Sequence, residues 1–338
     1  KNLPALMKKV KNVTFSRDNT RVVMNFLDGV FKKKPVQIDV AFPLVHGTNC
    51  EDGTIEGFFE FLRLPYVGCD IISSAVGMDK AVFKDVLMAA GLPVLPCVRF
   101  YSKEYFHKKD EILAKIEKEI GLPCIVKPAN LGSSVGISKA VTKEELLSAI
   151  DNASSFADKI LVERAVTGIR EINCSVLGDY DECEASVCEE PIMHDDILSF
   201  EDKYLGGGKK TGGSKGMTSL SRKLPAEISD EKAEEIRTLS KDIFKALGGS
   251  GIARIDFILD TEDGDRVYAN EINTIPGSLA FYLWEASGVK YEELLDRAIS
   301  LAFKRKRTRD SLNFTFESNI LAGVHDLSGA KGSKGSKC

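Results

Sequence analysis

Short apolar runs alternate with helical periodicities along most of this chain, and each change of period is marked by a turn residue. The run from Gln37 to Val45 predicts a buried strand that leads into a glycine-rich loop. From Met78 to Ala90 the spacing sets Val82, Phe83, Val86 and Leu87 on one helical face, and Gly91-Leu92-Pro93 stops the helix. Asp110 to Ile120 repeats the device, with Ile112, Leu113, Ile116 and Ile120 as the apolar stripe and Gly121 as the stop. Thr142-Lys143-Glu144-Glu145 has the form of a capping box, in which side-chain oxygens take up amides that the first turn leaves without partners. A further helix, capped at Ser229, runs through Ile236, Leu239, Ile243 and Leu247 to Gly248-Gly249. Strands are predicted at 123–127 and 159–163, and a hairpin-like pair at Gly251 to Phe257 and Tyr268 to Asn273. Strands interleaved with helices in this way predict an α+β or α/β protein.

Composition narrows the class. A chain of 338 residues, 43% hydrophobic and 28% charged, is a globular protein of two or three domains. A formal net charge of -4 provides no field for nucleic acid, and no apolar run is long enough to cross a bilayer. The eight cysteines include no CxxC pair, and His46, His107, His194 and His325 are too dispersed for a metal motif, so reduced thiols and a cytoplasmic location are expected. The chain starts at Lys1 and carries no signal peptide, so a fragment or processed form is expected. Gly206 to Gly216 contains no apolar residue, which predicts either a mobile lid over a substrate or a solvated insertion. The basic, repetitive stretch from Ser328 to Cys338 is expected to be disordered.

Alternation along a strand places Arg254 with Asp256, and Glu271 with Asn273, each pair on one face. If the two strands pair, three oxygen-bearing side chains and one guanidinium converge, which suits magnesium with a nucleotide's phosphates or else a solvated hairpin. Lys127, at a strand end before Gly132-Ser133-Ser134-Val135-Gly136, suits phosphate because glycines let backbone amides approach the oxygens. Lys80 is a second phosphate candidate. Glu163-Arg164-Ala165-Val166 followed by Gly168 to Glu171 reads as strand, turn and strand, where main chain can meet an adenine and a carboxylate a ribose. His46 to Gly57 is a strand-end loop of the kind that binds ligands in α/β proteins, or else a turn capped by Asp52.

Taken in order, these pieces resemble the D-alanine–D-alanine ligases of the ATP-grasp superfamily. The shared motifs are His46-Gly47 with Glu51-Asp52-Gly53-Thr54-Ile55, Met78-Asp79-Lys80, Val126-Lys127-Pro128, Gly132 to Gly136, Lys203-Tyr204, Ala253 to Phe257 and Asn270 to Gly277. The resemblance implies an α/β (α+β ATP-grasp) fold: a partial, Rossmann-like amino-terminal domain over 1–77, ATP-grasp subdomains over 78–159 and 160–322, and a disordered tail over 323–338. It implies that Lys80 and Lys127 bind ATP phosphates, Glu163 and Ala165 the adenine edge, and Glu171 the ribose. Asp256, Glu271 and Asn273 would hold two magnesium ions, with manganese as a substitute, and Lys203 would reach the γ-phosphate. Arg254 and the backbone at Gly277 would form an oxyanion site, Ser133 and Tyr204 a hydrogen-bonded link to the lid, and His46 and Glu51 a seat for the first amino acid. The implied activity joins two D-alanines for peptidoglycan through an acyl phosphate, in a homodimer. The alternatives are a different acceptor such as D-serine, or an ATP-binding module made inactive by loss of its amino-terminal part.

Two departures accompany the resemblance. The GG-x-S-x-E stretch expected near the amino terminus is absent. Ser278 to Glu285 replaces a serine-containing loop with one that includes Phe281, Tyr282 and Trp284, which predicts either an aromatic second subsite with Ser278 and Tyr282 facing the acceptor's carboxylate, or rings packed into the core with a backbone amide near Gly277 binding it.

Overall fold

The computed structural model describes residues 10–18, 21–28, 34–132, 135–192 and 222–313. Ser133, Lys203, Tyr204, the glycine-rich stretch 206–216 and the tail 323–338 lie outside the described residues.

Three antiparallel sheets organise the chain. The first joins β1 (Val13–Asp18), β2 (Arg21–Phe26) and β3 (Val36–Ile38) in that order. A Rossmann-like arrangement was expected here, but parallel pairing needs a crossover of a dozen or more residues and only positions 19 and 20 separate β1 from β2. The parallel contact in this region is an isolated bridge, Ala41 to Tyr66. The predicted buried strand from Gln37 to Val45 shrinks to β3 at the sheet edge, with Leu44 and Val45 exposed. The ladder ends at Ile38 because that residue already faces Val22, one position from the start of β2.

Three helices follow: α1 (Thr54–Leu62), α2 (Ile71–Met78) and α3 (Lys80–Ala89). The helix predicted from Met78 therefore begins two residues later, because the Asp79 carboxylate accepts from the amides of Ala81 and Val82 and caps it there. Phe83 and Leu87 are buried as predicted, whereas Val82 is exposed.

The second sheet has the order β4-β7-β5-β6, formed by β4 (Cys97–Tyr101), β5 (Cys124–Pro128), β6 (Ser138–Ala140) and β7 (Lys159–Arg164). Helices α4 (Ser102–His107), α5 (Lys109–Glu119) and α6 (Lys143–Ser154) accompany it. Ile112, Ile116, Leu146 and Ile150 pack with Val98, Val126 and Val162 into its core. The Thr142 hydroxyl accepts from the Glu145 amide at 3.2 Å, and the Glu145 carboxylate returns to the Val141 amide at 2.7 Å, one residue earlier than a strict capping box.

The third sheet has the order β10-β9-β8-β11-β12, from β8 (Ile169–Gly178), β9 (Cys183–Pro191), β10 (Arg222–Lys223), β11 (Gly251–Asp260) and β12 (Arg266–Asn273). Helix α7 (Asp230–Ala246) covers one face, burying Ile236, Ile243 and Phe244 against Ile172, Cys174, Ile255 and Phe257. On the other face, α8 (Phe281–Ala286) and α9 (Tyr291–Asp310) pack at one end, where Trp284 and Leu294 meet Leu177 and Ile252. Toward the opposite end Ile258 and Tyr268 meet Leu95, and between the two apolar clusters that face carries polar side chains. Seven described cysteines are free thiols. Among the described residues no helix is long and apolar enough to cross a membrane.

Candidate active site

The β11–β12 hairpin sets the site. Its register places Asp256 opposite Glu271 and Arg254 opposite Asn273, so the four side chains predicted from alternation share one face. The row continues across the sheet, because Asp256 also lies opposite Asn173 on β8, and Asn173 opposite Glu189 on β9. Polar side chains thus form one line over four strands. Asp256 is 1% exposed and accepts from Arg254 Nε and Nη2, each at 2.7 Å, and from Asn273 Nδ2 at 3.0 Å. Burial opposes the Arg254 charge, but the Asp256 carboxylate outweighs it and holds the guanidinium firmly protonated.

Two lysines reach the hairpin from other elements. Lys80, the first residue of α3, donates to Leu131 O at 2.9 Å and pairs with Glu271 Oε2 at 3.0 Å. Lys127, at the end of β5, donates to Asn270 Oδ1 at 3.2 Å and pairs with Glu163 Oε1. These contacts tie the second sheet and α3 to the third sheet. Arg164 on β7 adds another tie, to the buried carboxylate of Asp260 at 2.8 Å.

The predicted ATP residues divide. Lys80 and Lys127 converge on the acidic hairpin, while Glu171 lies partly buried in β8, opposite Ile258. Ala165 is buried just past β7 and donates its amide to Pro123 O at 3.1 Å. Glu163 differs from expectation: its backbone pairs within the sheet on both sides, and its carboxylate turns down between Lys127 and Lys84. Burial alone would raise that carboxyl, yet the Lys127 and Lys84 charges prevail and hold it at about 2.

At the other end of β12 the loop from His46 packs against residues 274 and 275. Glu51 Oε2 accepts from the Gly47 amide at 2.6 Å, His46 Nδ1 lies 3.4 Å from Glu51 Oε1, and Thr274 Oγ1 donates to Glu51 O at 3.4 Å. The hydrogen bond to Glu51 holds the imidazole above its ordinary pKa. His46 and Glu51 are therefore brought beside the Asn273-to-Gly277 segment.

Of the two readings of the aromatic segment, the fold takes the one that packs rings inward. Ser278, Leu279 and Ala280, directly after Gly277, take left-handed φ values of 52, 56 and 49°, conformations costly for side-chain-bearing residues. Helix α8 then sends Trp284 into the core, where its indole donates to Ser175 Oγ at 2.9 Å, and packs Phe281 against the same cluster. The face left apolar by Leu177 and Ile252 needs that cover, so these rings do not line a subsite. The Tyr282 hydroxyl donates to Glu189 Oε1 at 2.8 Å and its ring stacks under Arg222 at 4.1 Å, so Glu189 takes the hydroxyl expected to face a substrate. Burial, with the Glu189 charge second, pushes that phenol up to about 12.

Sequence reasoning missed Lys84, Asn173, Glu189, Arg222 and Asn270. Lys84 carried a signal, standing four residues after Lys80 on a helix whose buried stripe includes Phe83 and Leu87. Asn173 and Glu189 carried none, because only register aligns them with Asp256.

The donor set suits a hard cation. Two carboxylates directly opposite each other repel, and here Arg254 and Lys80 offset them. Asn273 presents Nδ2 to Asp256, which directs its amide oxygen elsewhere. Asp256 and Glu271 offer the carboxylate oxygens that magnesium or manganese prefers, and Asn273 would add its amide oxygen on turning toward them. Among the described residues no group of three or more His, Cys, Asp or Glu could hold a metal alone.

Two antiparallel sheets joined at an acidic hairpin, which Lys127 reaches from one sheet and Lys80 from the helix beside it, fit the ATP-grasp class. Comparisons with known proteins agree. The family profile described as D-ala D-ala ligase C-terminus matches residues 86–300, and that described as D-ala D-ala ligase N-terminus matches residues 5–69. The D-alanine–D-alanine ligase of Heliobacterium modesticaldum is 41% identical over 281 residues, covering 82% of this chain and 73% of that protein. That of Geobacillus thermodenitrificans is 39% identical over 327 residues, 94% of this chain and 86% of its own. Among solved structures, the D-alanine-D-alanine ligase from Coxiella burnetii superposes with a TM-score of 0.72 at 30% identity, covering 92% of this chain and 79% of that one. The VanG D-Ala:D-Ser ligase from Enterococcus faecalis gives 0.70 at 30% identity, over 87% and 80%. The chain belongs to the D-alanine–D-alanine ligase family.

Proposed function

We propose that this chain is an ATP-dependent ligase that joins two D-alanine molecules into D-alanyl-D-alanine for peptidoglycan synthesis. The observation that carries the assignment is the register of the hairpin, which sets Asp256 against Glu271 with Arg254 on the same face, under Lys80 and Lys127.

A carboxylate is a poor acyl donor, so its oxygen first attacks the γ-phosphorus of ATP, with loss of ADP, to give an acyl phosphate. The amine of the second amino acid then attacks the carbonyl carbon, and the tetrahedral intermediate expels phosphate as the amine loses its proton. Lys80 and Lys127 orient the phosphates and offset their charge. Asp256, Glu271 and Asn273 would hold magnesium, which when bound would supply Lewis-acid stabilisation to the phosphates. Arg254, kept protonated by Asp256, offsets the developing oxyanion together with the Gly277 amide. Glu51 and His46 seat the first amino acid, and Ser278 in its left-handed turn contributes to the second. The acid–base chemistry needs no side-chain nucleophile. The ligase is a homodimer in this proposal.

The test is ADP and phosphate release with and without D-alanine, with the product identified by mass. D-alanine-dependent release with D-alanyl-D-alanine as product is expected. Release that requires D-serine as acceptor would replace the substrate assignment, and nucleotide binding without turnover would reduce the chain to a binding module.

A further inference from the structure

Lys84 is fully buried, at 0% exposure, on the inner side of α3. A lysine costs several kcal/mol to bury without a partner, so its position calls for one. Its ammonium lies 2.9 Å from Glu163 Oε2 as an ion pair, outside hydrogen-bond angles, and donates to Leu95 O at 3.3 Å. The opposite oxygen of the same carboxylate meets Lys127. Glu163 is itself 2% exposed, and Lys127 is 4% exposed with its other contact on the neutral Asn270 amide.

Two ammonium groups and one carboxylate leave this buried trio with one positive charge beyond what it neutralises internally. Such an excess is costly in an interior, and an arriving anion would relieve it. Lys127 is the member that reaches the acidic hairpin, through Asn270, and Lys84 holds the other oxygen of Glu163 from α3.

We propose that Lys84 is a positioning residue for the nucleotide's phosphates. It compensates Glu163 from α3, so that Glu163 anchors Lys127 beside the acidic hairpin without cancelling its charge. Lys127 then meets the phosphate as a cation whose location is set but whose field is unspent. Without Lys84, Glu163 and Lys127 close into a neutral pair, and the excess charge that attracts the phosphate disappears. The proposal rests on the assignment of Lys127 to ATP, and the experiment separates the two.

ATP affinity is measured by calorimetry in the presence of magnesium and without D-alanine, on wild type, Lys84→Met, Lys127→Met, Glu163→Gln and the double variant Lys84→Met/Glu163→Gln. Lys84→Met and Lys127→Met are each expected to weaken ATP by about tenfold, with the KM for D-alanine unchanged, and Lys84→Arg is expected to recover most of the loss. In the Glu163→Gln background the Lys84 change should have little further effect, because its route to Lys127 is gone. A purely structural lysine would lower the nucleotide-free thermal midpoint without moving ATP affinity. Wild-type affinity in Lys84→Met, or a tenfold loss that persists undiminished in the Glu163→Gln background, overturns the proposal. Wild-type affinity in Lys127→Met overturns the phosphate assignment beneath it. Should Lys84→Met not fold, Glu163→Gln and the double variant decide, since the double variant replaces the buried pair with neutral groups of similar size.

Discussion

Glu56 is 1% exposed on α1, and its Oε2 atom is buried without a hydrogen-bond partner. Burial, aided by the charges of Asp52 and Glu51 and opposed by Arg305, raises its carboxyl from 4.5 to about 7. The folded state therefore binds this proton more tightly than the unfolded chain. Stability from it is fully present below pH 4.5 and is lost as pH rises through about 7. Glu56→Gln should flatten that decline and stabilise the protein above neutral pH by up to roughly 3 kcal/mol. Urea unfolding at a series of pH values checks it, and an unchanged pH profile would reject the assignment. At the site itself, Glu271→Gln keeps the shape but removes a charge facing Asp256 and Lys80. ADP release in the presence of D-alanine should fall on the order of 100-fold, with a raised magnesium requirement. Turnover equal to wild type would remove Glu271 from the metal set. These residues were readable because same-face spacing on a strand is a property of neighbours. The ion pairs of Glu163 were not readable, since what its carboxylate touches depends on Lys84 and Lys127, which lie 79 and 36 positions away in the sequence.

Among the elements, β11 is buried along its whole length and pairs with β8 and β12 on either side. Its entry is constrained at Gly251, where φ is +97° and a Cβ would sit 2.8 Å from the backbone of Gly68. Gly251→Ala thus combines backbone strain with a clash that no side-chain rotation relieves, and should destabilise by roughly 2–4 kcal/mol. Thermal unfolding tests this, and a change below about 1 kcal/mol would contradict the packing. Helix positions were legible from their caps: Asp230–Ala246 begins after Ser229, whose hydroxyl accepts from the Lys232 amide, and ends before Gly248. The strand predicted at 37–45 was not, because an apolar run does not reveal whether a neighbouring strand exists on each side. The two readings of segment 278–285 were likewise inseparable in sequence, because only packing shows that α8 covers Leu177 and Ile252.

For the whole molecule, Lys127–Asn270 and Arg164–Asp260 join the second sheet to the third, and Lys80–Glu271 joins α3 to the same hairpin. A ligand that binds across such a junction stabilises both sides together. ATP with magnesium at about 100 times its Kd should add about 2.7 kcal/mol to stability. Differential scanning fluorimetry should show this as a raised midpoint in wild type and a much smaller rise in Glu271→Gln, and an equal rise in both would separate stabilisation from the acidic hairpin. The proposed dimer is checked by light scattering, where a mass of one chain would reject it. The sequence by itself determined the periods, the caps, the order of the motifs and the pairing of Arg254 with Asp256 and of Glu271 with Asn273 on their strands, all of which follow from short-range backbone geometry. Only the tertiary structure decided that Asn173 and Glu189 extend that row, that Lys84 supports Glu163, and that Trp284 belongs to the core. Those relations depend on register and on packing between distant segments, which burial and charge settle once the elements meet.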